Sequence, residues 1–407
     1  MSERRAFLNL PLIFILVTVM IDAMGIGLIL PVMPDLIKEV QGGTLANAAV
    51  WGGILSGVFA VMQFLFGPII GNLSDQVGRR PVLLISLGIL ALDYLVMAVA
   101  GTIWLLFLGR VVGGITAATQ PTATAYIADI SKPDEKVARF GLIGAAFGIG
   151  FVLGPTLGGL LAGLGTRAPF YAAAALAFAN LAFGYFVVPE SLKAENRRPF
   201  LWRRANPFGA LAAVSALTEV RRPLAIFFVN SVAFWVYPAV WAFFTQARFG
   251  WDTTMVGYSL SAFGIAIAVV QGGFMRPILR IFGDKGTVLY GLIFNVLAFA
   301  AMATVTSGTL ALILTPLTAF GAVVTPALQG IMSRQVPDNA QGELQGVLAS
   351  VNALSMIIAP VLMTQVFAAY TRPEANVYFP GAPFVLSMAL ALACLAIFFV
   401  QPRRATD

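Results

Sequence analysis

Three ionisable side chains fall well inside apolar runs of this chain: Asp22, Asp93 and Arg110. Asp22 stands in Met20–Pro34, which reads MIDAMGIGLILPVMP, and Asp93 stands in LALDYLVMA. A carboxylate near a bilayer centre costs roughly 2.5–3.5 kcal/mol on insertion scales, so it faces a bundle interior or a wet cavity and commonly handles protons or substrate. The chain has no histidine, so any proton chemistry must use carboxylates. Asp22 and Asp93 lie at similar depth, about twelve residues from the near ends of their runs, or roughly 18 Å at the helical rise. Two carboxylates in one low-dielectric cavity repel each other, which equips one of them to exchange a proton. Arg110 opposes this by favouring the charged form. A cationic substrate approaching the pair would displace a proton, and the outcome is antiport. The alternative is a static Asp–Arg ion pair that fixes helix packing.

The elements that must position these groups follow from composition. The chain is 59% hydrophobic and 11% charged, with mean hydropathy +0.88, where a soluble protein carries about 25% charged residues. Apolar runs of about 20 residues predict an all-α polytopic membrane protein. Twelve spans are expected, at 8–37, 46–73, 81–101, 103–127, 140–164, 168–188, 224–247, 255–279, 287–306, 308–332, 343–369 and 381–400. Arg4 and Arg5 before the first run resemble a signal peptide, but that run is too long, carries Asp22 and precedes many more, so no cleavage is expected. A lone Cys394 excludes an intrachain disulfide and most thiolate metal sites. Of 25 Lys and Arg residues, Lys38, Arg167, Arg248 and Arg372 fall on one side and Arg110 within a span, while the remainder fall on the side of the termini. The positive-inside rule makes both termini cytoplasmic. The net charge of +7 is thus a topology signal, with anionic lipid headgroups as neighbours and no nucleic-acid partner.

The polar, Arg- and Pro-rich segment 189–223 reads as a cytoplasmic linker between six-span halves at 1–188 and 224–407, and its Asn206–Leu217 stretch could be a short interfacial helix. An offset of 205 residues matches Gly52 to Gly257, Ser56 to Ser261, Gly67 to Gly272, Gly78 to Gly283, Pro121 to Pro326, Gly141 to Gly346 and Pro155 to Pro360. Matches at glycines and prolines, where backbone geometry is most constrained, indicate a duplication. Two parallel repeats with a site near the midplane is a secondary-transporter architecture.

Gly71-Asn-Leu-Ser-Asp75-Gln-Val-Gly78-Arg79-Arg80 lies in a cytoplasmic turn after span two. Asp75 can cap a helix or pair with an arginine, and Arg79 and Arg80 can lock to Asp129 as a latch on one of two rocking states. A plain positive-inside anchor is the other reading. The second-half counterpart, Arg276–Lys285, keeps Gly283 but has Arg280 where Asp75 stands, so an asymmetric latch is expected. In span one, Gly25 and Gly27 permit close helix approach, while Pro31 and Pro34 are expected to bend or end the helix. In span five, Gly150, Gly154, Gly158 and Gly159 permit close packing and Pro155 is expected to bend the helix. Polar groups in spans, Gln63, Asn230 and Asn295 among them, are either substrate ligands or interhelical glue. Phe234, Trp235, Tyr237 and Trp241 in span seven could stack on a flat or cationic drug, or face lipid.

GNLSDQVGRR resembles the hallmark loop of the major facilitator superfamily, G-x-x-x-D-x-x-G-R-R, and GFVLGPTLGG resembles the antiporter motif of its drug-efflux branch. Within the superfamily, DAMGIGLILPVMP, GRVVGGITAAT, AYIADIS, RFGWDTT and RQVPDNAQGELQG together resemble the bacterial tetracycline/proton antiporters over nearly the whole chain. The resemblance implies two six-helix bundles related by pseudo-two-fold symmetry. It also implies exchange of a metal–tetracycline cation for a proton across a Gram-negative inner membrane. It assigns proton coupling to Asp22, Asp93 and Arg110, and gating to Gly71, Asp75, Gly78, Arg79, Arg80, Asp129, Gly154 and Pro155. The family histidine of span eight and aspartate of span nine are here Ile267 and Asn295, and Gln120 and Pro121 replace small residues in span four.

The expectation is a proton-coupled efflux antiporter that exports tetracycline or a similar amphipathic drug by alternating access. Substrate contacts are expected from Gln63, Gln120, Asn230, Phe234, Trp235, Tyr237 and Asn295. The rivals are a metabolite exporter or facilitator, or a broad multidrug exporter, on the same fold, and a receptor or channel. No enzymatic constellation is present: there is no nucleotide loop and no histidine. No resident cofactor or metal is expected, although a divalent cation such as Mg2+ would travel with a tetracycline, and the protein is expected to be a monomer.

Overall fold

A computed structural model describes residues 10–117, 119–132, 135–202, 205–209, 218–337 and 340–400. Among the described residues the regular structure is helical throughout. The first spans are α1 (Leu10–Gln41), α2 (Leu45–Val77) and α3 (Arg79–Val99). Span four is α4 (Ile103–Thr116) followed by α5 (Thr119–Ile130), and spans five and six are α6 (Lys136–Ala162) and α7 (Ala168–Val187). In the second half, span seven is α8 (Arg221–Phe234) and α9 (Val236–Phe249), which meet at Trp235. Span eight is α10 (Thr253–Val269) with a π-helical turn over Val270–Phe274, and span nine lies in α11 (Met275–Thr304). Span ten is α12 (Gly308–Thr318), a 3-10 segment over Ala319–Val323 and α13 (Val324–Gln335), before α14 (Gln341–Ala369) and α15 (Ala382–Phe399).

Among the described residues eleven helical stretches are long and apolar enough to cross a membrane, and one of them, Thr253–Thr304, runs to 52 residues and holds spans eight and nine together. That stretch breaks at Gly283, whose φ of 66° and ψ of 178° are not helical. A glycine tolerates this conformation because it has no Cβ. The expected loop between these spans is therefore a kinked helix. Of the two outcomes expected at Pro31 and Pro34, a bend or an end, the helix does not end: α1 continues through both to Gln41. Each proline removes one donor, and packing against neighbouring helices makes that tolerable within a span. The expected interfacial helix at Asn206–Leu217 falls largely on residues 210–217, outside the described residues.

The contacts divide the chain into two compact units. One comprises the residues up to Thr44, Ile54–Pro207 and Trp251–Gly264, and the other Leu45–Gly53, Phe208–Gly250 and the residues from Ile265 onward. The first has a core around Phe14, Ile15, Leu83, Leu87, Tyr126 and Ile127. The second has one around Phe227, Val288, Leu292, Leu328, Met332 and Leu344.

Candidate functional site

Asp22 lies on α1, and what holds α1 is a glycine stripe on α6. A Cβ at Gly150 would strike the carbonyl oxygen of Met20, one at Gly154 that of Met24 at 2.5 Å, and one at Gly158 that of Leu28. Each pair is one turn further along both helices, so α1 and α6 run side by side with their backbones almost touching. Small residues permit this approach, and dispersion between close backbones is a main attraction in lipid, where the hydrophobic effect between helices is absent. Gly27 completes the contact from α1, against Pro155 and Gly154. The other face of α6 receives the start of α10. The Thr254 hydroxyl donates to the Gly159 carbonyl at 3.1 Å, the Thr156 hydroxyl donates to Ser261 at 2.7 Å, and the Ser261 hydroxyl donates to Val152 at 2.6 Å. Thr253 donates to Asp35 near the end of α1 at 3.0 Å.

In this setting Asp22 is half-buried. On the adjoining helix the Tyr94 hydroxyl packs on Gly25, one helical turn from Asp22 on the same face. Tyr94 is 3% exposed. Sequence reasoning passed over it because an aromatic in an apolar run reads as core. The signal available was its place directly after Asp93.

Asp93 is in a different situation. Its carboxylate is paired with Arg110 across α3 and α4, and Arg110 also reaches the Met97 sulfur at 2.9 Å. The guanidinium carbon lies 5.1 Å from the centre of the Phe59 ring, a cation–π distance. Room for the carboxylate comes from α4: a Cβ at Gly109 would stand 2.8 Å from Asp93 Oδ1, and one at Gly113 2.7 Å from Oδ2. Asp93 Oδ1 and Arg110 Nε are buried with no hydrogen-bond partner among the described residues. The structure thus brings Asp93 and Arg110 together as an ion pair, whereas Asp22 forms no ion pair with either.

The turn after α2 is built around three arginine-binding groups. Arg79 pairs with Asp75 at 2.6 Å and with Asp129 at 3.3 Å, and donates to the Ser74 hydroxyl at 2.5 Å. Arg80 was expected to share Asp129 but instead donates to the Val188 and Tyr185 carbonyls at 2.7 and 2.8 Å, at the end of α7. Those are unsatisfied carbonyls at a helix C-terminus, where a cation is favoured. The cap of α3 is Glu190, not Asp75. Its carboxylate accepts from the Arg79 and Arg80 backbone N–H groups at 2.8 and 3.2 Å and from Leu192 N–H at 3.0 Å. Gly78, with φ 111°, lies directly against Glu190, so a side chain there would be strained and would also clash. A side chain at Gly71 would meet nothing within 4 Å, and the Gly71 carbonyl accepts from the Ser74 hydroxyl at 2.7 Å. Glu190 lies 111 residues from Arg79, and no local pattern connects them.

In the second unit the equivalent turn keeps the pairing but reverses its sign. Asp284 and Arg334 pair at 2.5 Å, and they stand at the 205-residue offset from Arg79 and Asp129. An ion pair therefore recurs with acid and base exchanged, while Arg280 stands where Asp75 pairs in the first unit, so the two turns are asymmetric.

The remaining candidates are distributed as follows. Asn295 donates to Asn230 at 3.2 Å and to the Gly321 carbonyl at 3.4 Å, and both asparagines are buried. They link α8, α11 and the 3-10 segment of span ten. Tyr237 is buried among Phe234, Trp241, Phe299 and Phe384, with ring centres 5.4 to 6.1 Å away. Phe234 and Trp235 are half-buried. Gln63, also half-buried, donates to the Ala117 carbonyl at 3.4 Å. Gln120 lies on α5, and its side chain is outside the described residues. Ile267 is on α10.

Comparison with known proteins agrees with this architecture. A family model described as Major Facilitator Superfamily matches residues 15–360 and 224–407. The chain is 41% identical over 387 residues to the tetracycline resistance protein, class C, of Escherichia coli, covering 95% of this chain and 96% of that one. It is 29% identical over 400 residues to multidrug resistance protein 2 of Bacillus subtilis, covering 93% of each. The crystal structure of the human organic anion transporter MFSD10 (TETRAN) superposes with a TM-score of 0.69 at 25% identity, over 96% of this chain and 99% of that one. A bacterial homolog of the human lysosomal transporter Spinster, inward-facing and unoccupied, superposes with a TM-score of 0.77 at 15% identity, over 95% of each, a likeness of fold.

Proposed function

This chain belongs to the major facilitator superfamily, and from that premise we propose that it is a proton-driven efflux antiporter for tetracycline or a similar amphipathic drug. The observation that carries the reading is the difference between its two membrane carboxylates. Asp93 is neutralised by Arg110, while Asp22 has no ion pair or hydrogen bond among the described residues. A mid-membrane carboxylate without a countercharge is a group that can take up and release a proton as a cation comes and goes. Asp22 is the proton-coupling residue, and the Asp93–Arg110 pair positions α3 and α4 around it.

The drug contacts come from Gln63, Gln120, Phe234 and Trp235, with Asn230, Tyr237 and Asn295 shaping the wall by packing. The curated relative at 41% identity carries tetracycline resistance in its name, and this supports the substrate class. A divalent cation is part of the cargo, chelated by the drug, and the protein needs no resident cofactor. It works as a monomer of two six-helix halves joined by the 189–223 linker. It sits in a bacterial inner membrane with both termini cytoplasmic, a reading supported by the side on which its Lys and Arg residues collect. A broader drug range is the second reading, favoured by the match to a multidrug resistance protein over 93% of the chain.

The test is uptake of tetracycline, with and without Mg2+, into inverted proteoliposomes under an imposed pH gradient. Wild-type protein accumulates the drug against its gradient. Asp22→Asn loses uphill transport while remaining folded and monodisperse. Full uphill transport by Asp22→Asn would show that the proton is carried elsewhere.

A further inference from the structure

The outer face of α11 carries a groove that the transport reading does not use. It is an apolar depression of about 410 Å3 lined by Phe282, Gly286, Leu289, Tyr290, Ile293 and Leu297. Its shape follows from two glycines. The break at Gly283 turns Phe282 back alongside α11, where its ring stacks on Tyr290 at 5.3 Å and 10°. Gly286, lying between them in sequence, contributes no side chain, so the space stays open. The aromatic line continues from Tyr290 to Phe294 and on to Phe320 of span ten, with centres 6.0 and 6.1 Å apart. This surface is open, since Phe282 is 49% and Leu297 63% exposed. On a membrane-spanning helix such a face meets acyl chains.

The head of the groove is basic beyond what the turn itself needs. Arg276, Arg280 and Lys285 are exposed, and among the described residues none makes an ion pair or a hydrogen bond. Their first-half counterparts at the 205-residue offset are Gly71, Asp75 and Arg80. There Asp75 and Arg79 pair, and Arg80 is engaged by the carbonyls at the end of α7. Within the second-half turn Arg276–Lys285 the one acidic residue is Asp284, and it is taken by Arg334. Three cations with no ion pair among the described residues therefore lie within six residues of Phe282, the first lining residue of the apolar trough. An amphiphile with an anionic head and a hydrocarbon tail complements both parts, and basic pockets at the cytoplasmic ends of membrane helices bind anionic headgroups.

We infer that this groove is a binding site for one anionic phospholipid of the cytoplasmic leaflet, with its phosphate held by Arg276, Arg280 and Lys285 and an acyl chain lying along Phe282, Tyr290 and Leu297. The site is independent of the drug pathway. Its occupancy holds the kinked turn at Gly283 against α11, and so couples the second-half Asp284–Arg334 latch to lipid composition.

The test uses full-length protein released from nanodiscs of equal phosphatidylglycerol and phosphatidylcholine, with retained lipids identified by native mass spectrometry. Wild-type protein is expected to retain one phosphatidylglycerol in preference to phosphatidylcholine. Lys285→Gln lowers that preference about fivefold, in line with the contribution of one cation near an anionic headgroup, and Lys285→Arg restores it. Leu289→Trp, which fills the trough with the charges intact, removes the one-lipid adduct. A control with a larger charge loss elsewhere, Lys132→Gln/Lys136→Gln/Lys193→Gln, leaves it in place. The inference is overturned if wild-type protein shows no headgroup preference. It is also overturned if the control loses phosphatidylglycerol as readily as Lys285→Gln, or if the wild-type mass is that of a lipid-free dimer.

Discussion

Asp93 and Arg110 form a buried pair, with side chains 1% and 11% exposed, so each depends on the other. Removing one partner of a buried pair leaves an uncompensated charge and costs about 3–5 kcal/mol, whereas removing both can be close to neutral. Asp93→Asn is therefore expected to lower the melting temperature in detergent sharply, and Asp93→Asn/Arg110→Gln to recover most of it. Transport would separate the two roles assigned here. If the pair only positions α3 and α4, the double variant regains some proton-driven uptake along with its stability. An equal melting temperature for the single and double variants would show that the two groups do not act as a pair. Glycine, not charge, makes the pair possible, because any side chain at Gly109 or Gly113 would occupy the space of the carboxylate.

At the scale of elements, Glu190 connects the end of α7 to the start of α3. A carboxylate on the first N–H groups of a helix satisfies orphan donors and meets the positive end of the dipole. Loss of such a cap costs about 0.5–2 kcal/mol. Glu190→Ala is expected to loosen the turn that carries Gly78, Arg79 and Arg80. Limited proteolysis at Arg79 and Arg80 should accelerate several-fold in membranes, and Glu190→Gln should fall between the two. An unchanged cleavage rate would mean that the Arg79 ion pairs alone hold the turn. The α1–α6 contact is more rigid than this turn, since its backbones meet at Gly150, Gly154 and Gly158 with no side chains to rearrange. Asp22 is thereby mounted on a helix whose backbone lies directly against that of α6.

At the scale of the whole molecule, duplication has conserved a pairing but exchanged its polarity, Arg79 with Asp129 in one unit and Asp284 with Arg334 in the other. The two are unequal in strength. Arg79 and Asp129 are 12% and 21% exposed, whereas Asp284 and Arg334 are 46% and 58% exposed. Exposed ion pairs contribute at most about 1 kcal/mol. Reversing the first pair, Arg79→Asp/Asp129→Arg, is expected to restore more transport than either single change retains. Either single change at Asp284 or Arg334 is expected to lower uptake less than twofold. A double-mutant cycle on initial uptake rates measures both, and a larger loss at Asp284 than at Arg79 would invert the assignment of the main latch.

The all-helical, polytopic fold and the ion-pairing residues Asp93, Arg110, Asp75 and Arg79 were legible in the sequence. Hydropathy and charge add up along the chain and need no third dimension. The 205-residue repeat was legible for the same reason, because glycines and prolines mark backbone geometry at fixed positions. Other features depended on how each helix is rotated about its own axis, which packing decides and composition does not record. That rotation selected Asp93 and not Asp22 as the partner of Arg110. It turned Asn230 and Asn295 toward each other, sent Arg80 to the carbonyls of α7 and placed Glu190 under α3. The lipid groove is of the same kind, since Phe282 and Tyr290 stack only because the backbone breaks at Gly283. The sequence by itself thus determined a polytopic, duplicated membrane protein with carboxylates at its centre. Only the tertiary structure decided which carboxylate is left without a countercharge, because that depends on which faces of α1, α3 and α4 the glycines allow to meet.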